Sequence, residues 1–345
     1  MTAEAGVPGA HAATERPLLS VVIPVYNGAD SIARLVAEVR GRLSDIAPEI
    51  VLVVDGSPDD SDKECTALAD ADAGVKCIVL RRNFGEHNAV MCGLNHCTGE
   101  WAAIIDDDFQ NPPSEIVKLL EEGRRAGHDV VYSYYARKRH HWFRNAGSRF
   151  NDTVATWLLG KPADLYLSSF KLIHRGVIDE IVKYRGPFPY VDGLIFRVTR
   201  RRVGRVLVEH MARGEGRSSY TLGKLVSLWM NMFLNFSIKP LRVFTVAGFV
   251  IFALAVLLSA VFVAEKLLHP EMPAGWTSLM VALMGLSGIQ LMMLGLIGEY
   301  LGKAYLDLSG TPQWVVRSSV LHGGPARGTA ARSGDGGESG PTPAG

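Results

Sequence analysis

The chain has 345 residues, 48% of them hydrophobic and 21% charged, with a formal net charge of +1. That balance excludes a nucleic-acid binder, whose surface would be strongly basic, and the length suits two modest units or one domain with additions. Cys65, Cys77, Cys92 and Cys97 form no Cys-x-x-Cys pair and read as reduced thiols filling a core, with a redox or metal role for Cys92 and Cys97 as the alternative.

Met1 to Arg16 has no apolar core, which argues against a signal peptide, and residues 1–17 are expected to be a disordered tail. Leu18 to Pro24 is an apolar run that predicts a buried strand stopping at the proline. Ala29 to Leu43 repeats apolar positions at helical spacing. Ile50 to Val54 predicts a second strand, closed by the turn Asp55-Gly56-Ser57-Pro58. Cys77 to Leu80 predicts a third, and Ala102 to Ile105 a fourth that runs into Asp106-Asp107-Asp108. Short apolar strands alternating with helices imply an α/β domain with a mainly parallel sheet. In such sheets ligands bind at the carboxyl ends of the strands, where these polar clusters fall.

His140 to Leu159 and Tyr220 to Ile238 mix aromatic and polar residues and read as helices lying at a membrane interface or against a core. Val243 to Ala264 and Trp276 to Gly298 carry no charge, and each is long enough to cross a bilayer core of about 30 Å. A buried helical hairpin is the alternative. Lys239, Arg242, Lys303 and Arg317 flank the pair, which puts both flanks in the cytoplasm and the loop Glu265 to Gly275 outside. The organisation expected is a cytoplasmic catalytic domain over 18–218, an interfacial helix over 219–242, two transmembrane helices over 243–302 and a cytoplasmic tail over 303–345. A multi-pass protein of the inner (cytoplasmic) membrane is the matching location.

The chemistry concentrates in Ile104-Ile105-Asp106-Asp107-Asp108-Phe109-Gln110-Asn111-Pro112-Pro113. Carboxylates held together at a strand end repel, and a divalent cation offsets that cost. Oxygen-only ligands favour Mg²⁺ or Mn²⁺ shared with substrate phosphates. In an extended run Asp106 and Asp108 point the same way, which makes them the metal pair. A solvated acidic turn is the alternative.

The order Val22-Ile23-Pro24-Val25-Tyr26-Asn27, Asp55-Gly56-Ser57, Arg82-Asn83-Phe84-Gly85 and Asp106 to Pro113 resembles glycosyltransferase family 2. The resemblance is to its polyprenyl-phosphate branch, which includes dolichyl-phosphate mannose synthases and undecaprenyl-phosphate glucosyl- and formamido-arabinosyltransferases. It runs from about Ser20 to about Arg317, with Gly298-Glu299-Tyr300-Leu301-Gly302 among the later matching stretches.

The resemblance implies a GT-A nucleotide-sugar-binding fold and a nucleotide pocket lined by Pro24, Tyr26, Asn27, Asp55, Asp107 and Gln110. Asp106 and Asp108 would take the two ends of the family's Asp-x-Asp element. Arg213-Gly214-Glu215-Gly216-Arg217-Ser218-Ser219-Tyr220 resembles a phosphate-facing element of the branch. Arg213 and Arg217 then join the two aspartates as catalytic candidates. Arg137, Lys138, Arg139, Lys171, Arg213, Arg217 and Ser218 are candidates to receive the acceptor phosphate, arginine because its planar fork binds phosphate bidentately.

The implied partners are a nucleotide-sugar (UDP before GDP), polyprenyl phosphate and the bilayer, with a homo-oligomer left open. Asp107 or Asp192 could orient a sugar hydroxyl, although Asp192 reads as a plain surface residue. Three departures stand out: Val54 replaces the first Asp of the usual Asp-Asp-Gly-Ser, Gly28 replaces the Glu of Asn-Glu, and Ser219 stands where lysine is usual. A processive polysaccharide synthase would need more spans and a Gln-x-x-Arg-Trp element, which the sequence lacks. A non-catalytic, membrane-anchored nucleotide-sugar-binding scaffold is the rival from a different class.

Overall fold

The computed structural model describes residues 16–135, 165–199, 202–209 and 275–322, with scattered positions between 246 and 268. The first half is a strict alternation of strand and helix: β1 (Leu19–Val25), α1 (Ile32–Arg42), β2 (Glu49–Val54), α2 (Ser61–Ala71), β3 (Val75–Leu80), α3 (Glu86–His96), β4 (Trp101–Ile104) and α4 (Glu115–Ala126). There follow β5 (Val130–Tyr135), β6 (Lys171–His174), α5 (Arg175–Ile181), α6 (Val191–Val198), β7 (Val203–Val208), α7 (Trp276–Leu308) and β8 (Val316–Val320). Together the strands form one eight-stranded sheet, ordered β7-β5-β6-β4-β1-β2-β3-β8, among the described residues. Only β6 and β8 run against the rest. The expected α/β class and mainly parallel sheet are thus present.

The β-branched runs of β1 and β2 are buried on both faces, so alternate residues feed two cores. Val21, Ile23 and Val25 pack with Leu35 and Val39 of α1 and Leu119 of α4. Val22 and Val53 pack on the other face with Met91 and Leu94 of α3 and Ile195 of α6. Gly93 lets α3 approach closely, since a Cβ there would stand 2.3 Å from Val22 Cγ1.

The sheet splits where a ligand would enter. β1 pairs with β4 only as far as Val22 opposite Ile104, but with β2 as far as Val25 opposite Val54. The strand order reverses there too, with β2 on one side of β1 and β4 on the other, a topological switch point. This corrects the expectation that β1 stops at Pro24. Val22 faces β4, accepting from Ile105 N, and Pro24 faces the same way two residues on. β4 has ended by then, so the missing N–H forfeits no ladder bond and the strand continues to Val25.

The segment expected to be a cytoplasmic tail contributes β8, which pairs antiparallel with β3. Gln313 Nε2 donates to Gly186 O at 3.1 Å, and Trp314 packs on the second core. Counted over the described residues alone, no helix is long and apolar enough to cross a membrane. The run Val243 to Ala264 lies largely outside them, as do several side chains of the 33-residue α7. The expected interfacial segments His140 to Leu159 and Tyr220 to Ile238 also lie outside, as do residues 1–15 and 323–345.

Candidate active site

The cleft at the β1/β4 split collects side chains from four loops. Beyond Ile105 the chain does not stay extended. It turns over residues 107–110, with Phe109 at φ 58° and the Arg34 guanidinium 4.2 Å above its ring. The argument that alternation points Asp106 and Asp108 the same way therefore fails, because it assumed a strand. The three carboxylates fan out instead. Asp106 Oδ2 accepts from Ser169 Oγ at 2.6 Å. Asp107 Oδ2 accepts from Tyr26 N at 3.2 Å. Asp108 accepts from Gln110 N at 3.1 Å and from the Gln110 side-chain amide. Burial first, then Asp106 and Asp108 nearby, push Asp107 up to about 6 against the pull of the Tyr26 N–H.

The loop after β1 is fastened one amide at a time. Tyr26 N donates to Asp107, Asn27 N to Ser57 Oγ at 2.8 Å, Gly28 N to Ser61 Oγ at 3.0 Å and Ala29 N to Asp59 Oδ2 at 3.0 Å. Such side-chain acceptors substitute for the ladder that ended with β1. They also hold Asn27 at φ 57°, a left-handed conformation that Asn tolerates. Asp59 anchors the set. Burial opposes its ionisation, but bonds from Ser57, Ser61 and Ala29 outweigh it and hold the carboxyl at about 2. Tyr26 is left exposed over the cleft.

Asp55 at the end of β2 turns inward. Its two oxygens accept from Phe84 N at 2.7 Å and Gly85 N at 2.8 Å, so it ties β2 to the loop that starts α3. Burial raises its pKa and those two bonds partly offset the rise. Asp55 thus shapes the pocket wall by holding backbone.

The floor of the cleft differs from expectation. Asp192 is buried, not a surface residue, because α6 carries it under the sheet end. It pairs with Lys171, and Tyr132 Oη donates to it at 2.8 Å. Lys171, expected at an acceptor phosphate, is itself buried with its ammonium engaged in that pair. A buried ammonium needs a carboxylate partner, and β6 puts Lys171 opposite Ile104, one strand from the Asp106 turn. Beside it, His87 meets the Tyr190 ring edge-on at 5.0 Å, and burial lowers His87 to about 4.

Glu86 opens onto the cleft at the start of α3. Protein crowded around it, then Asp106, push it up to about 7 against Lys171, with Asp192 and Asp108 adding to the rise. Glu86 and Ser169 are the residues that sequence reading missed. Glu86 directly follows the Arg82-Asn83-Phe84-Gly85 stretch, which was the available signal. Arg137, Lys138, Arg139, Arg213, Arg217 and Ser218 lie outside the described residues.

Among the described residues no group of three or more His, Cys, Asp or Glu side chains is gathered to hold a metal. The hard oxygen donors of Asp106 and Asp108 still fit Mg²⁺ or Mn²⁺, which are commonly held by one or two carboxylates plus substrate phosphates.

Residues 20–182 match glycosyl transferase family 2 and residues 239–304 match the GtrB C-terminal hairpin. The chain is 32% identical over 307 residues to an undecaprenyl-phosphate 4-deoxy-4-formamido-L-arabinose transferase of Serratia proteamaculans, covering 88% of this chain and 94% of that one. A Yersinia pestis protein of the same name is 32% identical, with 88% and 93% covered. Among solved structures, glucosyl-3-phosphoglycerate synthase from Mycobacterium tuberculosis, in complex with Mn²⁺, UDP-glucose and phosphoglyceric acid, aligns with TM-score 0.46 and 17% identity over 63% of this chain and 77% of that one.

Proposed function

This chain belongs to glycosyl transferase family 2, and from that premise we propose that it moves a sugar from a nucleotide-sugar, UDP-linked in our reading, onto polyprenyl phosphate such as undecaprenyl phosphate. The carrying observation is the 32% identity that runs through 88% of the chain, catalytic sheet and hairpin region alike, to relatives named for transfer involving undecaprenyl phosphate. The product is a lipid-linked sugar that serves as donor for the cell envelope.

A monoalkyl phosphate has a second pKa of about 6 and is mostly dianionic at neutral pH, so it can attack the anomeric carbon without a strong base. The protein's work is then positioning and charge. Direct displacement inverts the anomeric centre. The exposed Tyr26 side chain and the clamped loop that follows it form the nucleotide's seat in this reading. Asp106, fixed by Ser169, and Asp108, fixed by Gln110, would hold Mg²⁺ or Mn²⁺. When bound, that cation supplies neutralisation of the leaving diphosphate. Arg213 and Arg217 meet the acceptor phosphate in this reading, with Arg137 and Ser218 beside them.

We place the catalytic unit, 18–218, at the cytoplasmic face of the inner membrane, with an interfacial helix over 219–242 and two spans over 243–302. Three observations support this: the hairpin match over 239–304, the uncharged run Trp276 to Gly298 in α7, and the exposure of Leu279, Leu283, Leu286, Leu291 and Leu294 along it. β8 lies beyond α7 yet pairs with β3, so the chain between β7 and β8 crosses the membrane an even number of times.

The test is a panel of UDP- and GDP-sugars with undecaprenyl phosphate, read by mass spectrometry of the lipid. One donor should give a lipid-phosphate sugar with release of nucleoside diphosphate. Nucleotide-sugar binding with no lipid product from any donor would leave the scaffold reading standing.

A further inference from the structure

We propose that Asp107 is a positioning residue that clamps the nucleotide-facing loop Tyr26–Ala29 to the turn carrying Asp106 and Asp108, and that the clamp requires glycine at position 28. The inference rests on the function proposed above only in taking that loop as the donor's seat. It assigns Asp107 to the protein's own backbone, not to nucleotide or metal.

Three observations carry it. Asp107 Oδ2 accepts from Tyr26 N at 3.2 Å across 81 residues of sequence, a bond that joins the β1 loop directly to the β4 turn. A Cβ built on Gly28 would stand 2.5 Å from that same oxygen, well inside van der Waals contact, and 2.9 Å from Val25 Cγ1. The other three amides of the loop are held by Ser57, Ser61 and Asp59, all from the segment that follows β2. Without Asp107 the loop's amides would be fixed to that segment alone and would lose their registration to the carboxylates of the β4 turn.

The carboxylate at 107 and the bare backbone at 28 are therefore coupled: a side chain at 28 crowds the acid, which has to shift and loosen its bond to Tyr26 N. The Gly28 departure seen in the sequence has its physical reason here. It leaves room for a carboxylate that arrives from the neighbouring strand.

The experiment titrates UDP and GDP, with Mg²⁺ present, into the full chain in detergent and follows the tighter-binding nucleotide. Variants are Asp107→Ala, Asp107→Asn, Gly28→Ala and the double Gly28→Ala/Asp107→Ala. Asp107→Ala should weaken nucleotide binding by about three- to tenfold, the worth of one hydrogen bond, while Asp107→Asn, which keeps an acceptor, stays near the parent. Gly28→Ala should weaken binding at least as much, and the double variant should be no worse than Gly28→Ala, since both act through one contact. The Mg²⁺ concentration at half-saturation should not move.

Additive losses in the double variant, or an Asp107→Ala that binds nucleotide like the parent, would overturn the clamp. So would a metal requirement that rises with Asp107→Asn, which would make Asp107 a metal ligand instead. A parent that binds nucleotide but transfers no sugar would overturn the proposed function while this test kept its meaning.

Discussion

Lys171 of β6 and Asp192 of α6 meet in a buried ion pair one strand away from the aspartates that follow β4, and Tyr132 donates to the same carboxylate. Two charges taken out of water are tolerable only together. Lys171→Met should therefore destabilise the protein by about 3–5 kcal/mol, because it strands the Asp192 charge. The double variant Lys171→Met/Asp192→Leu should recover much of that loss. Chemical unfolding of the two variants checks it. If Lys171 instead served the acceptor phosphate, Lys171→Met would leave the unfolding midpoint in place and raise the lipid concentration needed for transfer.

Asp106→Asn and Asp108→Asn should each abolish sugar transfer, and chelation should do the same to the parent. Two phosphates and two carboxylates cannot share one site without a cation. Transfer at the parental rate in EDTA would refute the assignment.

The first four strands were legible because β1 to β4 are short, apolar runs buried on both faces, each closed by polar residues at its carboxyl end. β6 and β8 were not. β6 hides in Lys171-Leu172-Ile173-His174, whose lysine is neutralised by Asp192 from farther along the chain. β8, Val-Arg-Ser-Ser-Val, is an edge strand with one face open, so no apolar run marks it. Motif order likewise picked out loops that the fold gathers at the β1/β4 split, without giving side-chain directions. Those directions depend on the positive φ of Phe109 and on bonds linking residues 30 to 81 positions apart, such as Asn27 to Ser57 and Tyr26 to Asp107. No local window contains both ends of such a bond.

Asp59 makes the loop acid-sensitive in a defined window. Its pKa is 3.8 when unperturbed and about 2 in the folded protein, so the folded state binds the proton less readily. The stabilisation is complete above about pH 4 and is lost as pH falls toward 2. Solvent screening at this partly exposed site limits it to the order of 1 kcal/mol. Asp59→Asn should be less stable than the parent at neutral pH, and the gap should close as pH falls through that window. A gap that is constant between pH 5 and pH 2 would contradict this.

The proposed topology puts β8 and everything after it on the side of the catalytic sheet. All four native cysteines are buried, so background labelling should be low. With an impermeant maleimide on intact cells, a cysteine at His269 should be labelled and one at Gly323 should not. Labelling of both positions would contradict the two-span arrangement.

Arg213 and Arg217 are the remaining assignment, and their test separates two roles. If they clamp the lipid phosphate, Arg213→Ala or Arg217→Ala should leave nucleotide affinity unchanged and weaken lipid use. A charge-assisted contact to a partly desolvated phosphate is worth roughly 1.5–3 kcal/mol, or about ten- to a hundredfold in turnover efficiency. Arg→Lys should restore only part of the loss, since lysine offers a point charge and no fork. If they hold the donor diphosphate instead, nucleotide affinity should fall while the dependence on lipid concentration stays put. Sequence position favours the lipid. The element directly precedes Tyr220 to Ile238, whose Leu222, Leu225, Trp229, Phe233 and Phe236 suit the headgroup layer, and a lipid phosphate has to arrive at that depth.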